Sequence, residues 1–244
     1  MIERVSSDNW ETLQLRVSVF FVEHEAALAA WKSAANALDI KEERTVRATG
    51  AQIRLVAFGD ALIEQAAQAT RCEWRMFPAS AAAIAKGEIP SLGRTAVAFS
   101  QMDERLHAWF GHLERVNRLA FGAKLLWLTE GKPSLPELVA RTLGDTGMRL
   151  PPTGTDFSLK LNTRRPSRTV GGVELNQVRQ WSQVQVVAES VMGGTPMTWD
   201  KHGVDLDLDI NSVPAGIEAG NLFVLYRELK DLGESFAADG ETFA

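Results

Sequence analysis

One cysteine, one tyrosine and four histidines in 244 residues leave few of the side chains that usually carry redox, metal or nucleophilic chemistry. A lone thiol, Cys72, cannot form an internal disulfide, which fits a reducing compartment. It sits beside Trp74 with no local base, and reads as a small buried hydrophobe. His107 and His112 are five residues apart, so they do not share a helix face as an i,i+4 metal pair would. Both read as helix-surface or boundary residues, and His202 with Asp200 adds possible ligands but no recognised spacing. No apolar run approaches the roughly 20 residues that cross a bilayer. The longest, Val17 to Val22 and Leu125 to Leu128, are strand-sized. The opening Met-Ile-Glu-Arg-Val-Ser-Ser-Asp lacks the apolar core of a signal peptide. The expectation is a cytoplasmic protein with no membrane partner. No serine stands in a Gly-x-Ser-x-Gly elbow. Gly171-Gly172 and Gly193-Gly194 lack the surroundings of a phosphate loop or dinucleotide fingerprint and read as turns. No cofactor is implied, and there is no solenoid repeat or low-complexity tract.

What is present is an ordinary globular composition. Hydrophobic residues make up 45% and charged residues 23%, which excludes a disordered chain or a coiled-coil fibre. The length suits one large domain or two small ones, and such a chain buries a core without covalent staples. A net charge of −5 argues against broad, non-specific nucleic-acid binding. The charge is uneven. Arg149 to Arg179 holds six bases and two acids, whereas Asp200 to Ala244 holds ten acids and three bases. The two segments either face each other across a sheet, or the basic one faces a partner.

Leu13, Leu15, Val17, Val19 and Phe21 alternate with more polar residues, the period of a half-buried strand. The alanine-rich stretch Glu25 to Leu38 predicts a helix. Arg44 to Ala48 and Gln52 to Phe58 form a hairpin around Thr49-Gly50. Asp60 to Ala69 reads as a short helix, Arg71 to Phe77 as a strand, and Ser80 to Lys86 as a helical turn or two. Met102, Leu106, Trp109, Leu113, Val116, Ala120 and Ala123 form a heptad-like stripe, the basis for a central helix. Lys124 to Leu128 suggests a buried strand. Ser134-Leu135-Pro136-Glu137 is a capping box opening a helix to about Leu143. Pro151-Pro152-Thr153-Gly154 is a linker candidate. Beyond it, strands alternate at Phe157 to Leu161, Gln180 to Val191 and Val204 to Ile210, and a terminal amphipathic helix follows. The fold class is therefore α+β: a mainly antiparallel sheet, or two, packed on a central helix (Gln101 to Leu119) and a terminal helix (Asn221 to Ala238). Residues 1–150 and 155–240 form two similar lobes or one continuous domain.

Three constellations bear on function. Asp205, Asp207 and Asp209 alternate along a strand and so share one face. Such a row either holds a hard cation such as Mg²⁺ for phosphoryl chemistry, or is a solvated sheet face neutralised by Lys160 and Arg164. Arg164, Arg165 and Arg168 cluster beside Pro166. Their planar forks suit phosphates or carboxylates, or pair with the acidic C-terminal segment. Seven tryptophans, with Trp181 nearest the arginines, are core residues by default and hot-spot candidates otherwise. Since no catalytic set stands out, the first expectation is a non-enzymatic adaptor that docks a protein partner. The alternatives are a nucleic-acid or nucleotide-phosphate binder using the arginines, and a metal-dependent phosphoesterase on the aspartate strand.

Overall fold

Alternation at period two organises most of this chain. The computed structural model describes residues 5–34, 40–79, 88–129, 131–144, 156–192 and 195–239. After a 3-10 turn at Ser7–Asn9 come β1 (Glu11–Phe20), α1 (His24–Ser33) and a meander of β2 (Ile40–Val46), β3 (Ala51–Phe58), β4 (Ala61–Gln68) and β5 (Arg71–Pro78). Helix α2 (Thr95–Phe110) leads through β6 (Arg115–Val116) to β7 (Arg118–Thr129) and α3 (Leu135–Leu143). The rest is β8 (Ser158–Pro166), β9 (Glu174–Met192), β10 (Thr195–Ser212), β11 (Ile217–Glu218) and α4 (Ala219–Asp239).

Nine strands form one antiparallel sheet in the order β2-β3-β4-β5-β1-β7-β10-β9-β8, and β6 pairs with β11 apart from it. The order is nearly symmetric about its middle. β1 and β7 pair with each other, and each is followed by a short helix. A meander then returns to the far side of its own first strand, and a long helix closes each half.

All four described helices lie on one face. Leu15, Val17 and Val19 of β1, Phe121 of β7, Leu206 and Leu208 of β10 and Trp181 of β9 point to it and are buried. Phe99 of α2 and Tyr226 of α4 both pack on Phe121, at ring distances of 5.2 and 6.2 Å. Trp109 of α2 packs on Trp74 of β5 at 5.3 Å, and its indole donates to the Ala30 carbonyl of α1 at 2.9 Å. Arg141 of α3 lies over Trp127. The other face carries Arg16, Lys124, the three aspartates and their register neighbours, with no helix over it among the described residues.

Two elements depart from the sequence reading. Residues 61–68 form a strand, not a helix. Alanine favours helices, but here the segment pairs on both sides with β3 and β5, and Ala61, Ile63, Gln65 and Ala67 alternate inward. The central helix ends at Phe110 rather than Leu119. Its supposed stripe continues into β7, where Ala120 and Ala123 are three apart and so face opposite sides of the sheet. Residues 80–86, the proposed linker at 151–154 and Gly193-Gly194 lie outside the described residues. Ser134 caps α3 as expected, accepting from the Glu137 amide.

The two long helices are tied by a polar contact. Asp103 of α2 accepts from the Tyr226 hydroxyl at 2.7 Å and from Lys230 Nζ at 2.5 Å, both on α4. Burial, then the Asp103 charge, pushes the Tyr226 hydroxyl well above its usual range, so it acts as a fixed donor. Near the end of β7, a Cβ on Gly203 of β10 would run into the Trp127 carbonyl. Gly203→Ala is expected to lower unfolding free energy by at least about 2 kcal/mol in urea titration. Gly220→Ala, in open space in the first turn of α4, should change it by no more than about 0.5 kcal/mol.

Candidate docking groove at the arginine-rich loop

Strand β8 ends at Pro166, and the chain turns back through residues 167–173 into β9. One buried carboxylate holds this turn. Glu228 projects from the middle of α4 and accepts from Arg165 Nη2 at 2.9 Å, Ser167 Oγ at 2.6 Å and the Arg168 amide at 2.9 Å. It also accepts from the Thr169 hydroxyl at 2.7 Å and the Thr169 amide at 3.2 Å. Burial by itself would raise the Glu228 pKa. The Arg168 amide and the Ser167 and Thr169 donors outweigh that and hold it below the usual glutamate range.

The three arginines therefore have different surroundings. Arg165 turns to the helix side and is spent on Glu228, an ion pair with a residue of the acidic C-terminal segment. Arg164 is exposed on the uncovered face of β8, and Arg168 is exposed in the loop. Neither has a carboxylate within 4.0 Å among the described residues. The loop and α4 enclose a groove of about 480 Å³. Phe223, Val224 and Leu232 are its apolar lining, and Arg168 and Arg227 are its exposed cations. Val224 is 46% exposed, and Val22, Ile40, Val97 and Val187, the other exposed large hydrophobic residues described, lie outside this groove.

Trp181, expected beside the arginines as a partner contact, is 0% exposed on the helix-covered side of β9. It is a core residue. Trp10, Trp31, Trp74, Trp109 and Trp127 are buried as well, because large indoles fill the layer between sheet and helices. Phe223, Val224 and Arg227 escaped the sequence reading. The signal that could have found them is a half-exposed apolar pair on a helix whose other apolar residues, Leu222, Leu225 and Leu229, are fully buried.

Asp205, Asp207 and Asp209 do share a face, the uncovered one, opposite the groove. They do not meet the arginine loop. Asp207 lies opposite Lys124 in register, and Arg16 reaches Asp209 at 3.8 Å across Gly122. Gly122 lies between them in register, and a Cβ there would sit only 3.0 Å from the Arg16 guanidinium. The compensating cations are thus chiefly Lys124 and Arg16. Lys160 acts on Asp207 alone, from two strands away, and Arg164 lies level with Asn211. Burial raises the pKa of Asp205 and Asp207, and Lys124 partly offsets this. Among the described residues, no group of three or more His, Cys, Asp or Glu side chains is arranged to hold a metal ion. Cys72 is buried, and burial pushes its thiol up to about 12.

No protein family matches the chain, and no curated protein matches it significantly.

Replacing Glu228 by Gln sets an amide donor among five donors, so stability should fall by about 1–3 kcal/mol. Because the folded-state pKa of Glu228 is depressed, its contribution is present at neutral pH and is lost as pH falls below the ordinary glutamate range. The gap between wild type and Glu228→Gln, followed by thermal melts, should therefore narrow on acidification. Cys72 should resist an aromatic disulfide reagent at pH 8 in the native chain and react fully in denaturant.

Proposed function

We propose that this chain is a non-enzymatic binding protein that docks a protein partner in the groove between α4 and the β8–β9 loop. The observation that carries the reading is the combination of a pinned wall and an exposed apolar floor. Five hydrogen bonds to Glu228 hold the loop in one conformation, so little ordering entropy remains to oppose binding. Val224 and Phe223 supply surface that a partner can dehydrate. The chemistry available elsewhere supports the same view. Cys72 and Tyr226 are buried and held protonated, and the aspartate row is compensated by neighbouring cations.

A second reading keeps a place because Arg164 and Arg168 have no carboxylate partner among the described residues. Both are open to phosphate, and a nucleic acid bound there would dissociate steeply as salt rises.

Val224→Glu puts a charge on the groove floor at an exposed position and leaves the core intact. Binding of a partner isolated with the wild-type chain should weaken at least tenfold in the variant, measured by titration after nuclease treatment. Unchanged affinity would remove the groove from the account. Loss of all binding on nuclease treatment would favour the phosphate reading instead.

A further inference from the structure

We propose that the groove receives an acidic segment of its partner, with carboxylates flanking a central apolar side chain. This rests on the reading of the groove as a protein-docking site and adds the chemistry of what enters it.

The charge balance of the lining carries the inference. Arg168 on the loop and Arg227 on α4 both line the groove and are both exposed, with no carboxylate within 4.0 Å among the described residues. Glu228 also lines the groove but offers nothing to a ligand, since its two oxygens already accept from five donors and its side chain is buried. Arg165 is likewise engaged by Glu228. Asp231 is the one exposed acid in the lining. Two unpaired guanidinium forks thus face one exposed carboxylate, and planar forks favour bidentate carboxylates.

The floor separates this ligand from a nucleic acid. A phosphate backbone needs no apolar surface, and base binding needs an open aromatic face. Phe223 is the aromatic residue here, and its ring is engaged with His107 at 4.4 Å and Tyr226 at 6.0 Å. Phe223, Val224 and Leu232 instead suit one apolar side chain set between the arginines. The lining runs along α4 from Phe223 to Ser235, about 18 Å at 1.5 Å per residue. An extended segment of about five or six residues matches that length.

The test uses the full chain and three labelled nonapeptides read by fluorescence anisotropy. The first has a central Phe between Asp and Glu residues, the second is its Asn/Gln isostere, and the third is its Lys counterpart. The acidic peptide should bind at least tenfold more tightly than the isostere and weaken with salt. Arg168→Glu combined with Arg227→Glu should reduce its binding at least tenfold and admit the Lys peptide. Both arginines are exposed, so the double variant should melt with the wild type. Arg71→Glu, on the opposite sheet face, should leave binding unchanged. Equal binding of the isostere, retention of binding by the double variant, or no binding of the acidic peptide would overturn the proposal. So would single-stranded DNA that binds at Arg168 and is not displaced by the acidic peptide. A photo-crosslinking side chain at position 224 in native cells separates the two levels. A protein crosslinked there but not displaced by the acidic peptide leaves the docking site standing and removes the acidic segment. No crosslinked protein and no peptide binding removes both.

Discussion

The antiparallel pairing of β1 with β7 is the constraint on which the rest of the molecule depends. It joins the two halves by backbone hydrogen bonds in one register, with Leu15 beside Ala123, Val17 beside Phe121 and Val19 beside Leu119. Because side chains alternate strictly, that register decides which residues reach the helix side. A slip by one residue would turn Leu15, Val17 and Val19 outward and put Arg16 and Ser18 into the core. Phe121, at the middle of this pair, is also where α2 and α4 converge through Phe99 and Tyr226. The Asp103 contact to Tyr226 and Lys230 then fixes the two long helices against each other.

The groove follows from that arrangement. Helix α4 is placed by its buried Leu222, Leu225 and Leu229, and Val224 and Arg227 are left exposed on it. There Glu228 meets the end of β8. A carboxylate buried without partners would be strongly unfavourable, and the five donors of the loop answer that demand. The same hydrogen bonds that satisfy Glu228 tie the loop to α4, where both line the groove with Phe223 and Val224.

The charges on the uncovered face behave differently. Asp207 lies beside Lys124, and Asp209 is reached by Arg16 across the gap left by Gly122. Glu73 is enclosed by Ser18, Arg71 and Arg75. These groups compensate one another across strands, which fits an open antiparallel sheet face whose stabilisation comes from cross-strand pairs. At the groove, by contrast, Arg168 and Arg227 remain without a carboxylate within 4.0 Å among the described residues.

Elements whose signal is local were legible in the residues alone. The α+β class with a mainly antiparallel sheet, the alternation of β1 and β10, the Thr49-Gly50 hairpin, the Ser134 cap and the terminal helix all depend on neighbours within a few residues. It also located the arginine cluster and the aspartate row, and the shared face of the aspartates follows from strand geometry alone. The remainder depended on contacts between distant segments. Residues 61–68 became a strand because β3 and β5 satisfy their backbone on both sides, which outweighs a helix preference of a few tenths of a kcal/mol per residue. The apolar stripe around Trp109 breaks at Gly111 because its later members serve β7, and a periodicity of three and four cannot reveal where one element hands over to the next. Trp181 went to the core, and Arg165 and Arg168 were separated in role by Glu228, 60 residues or more along the chain. Partners that distant come together only when the strand order is set, and strand order is a property of the whole sheet.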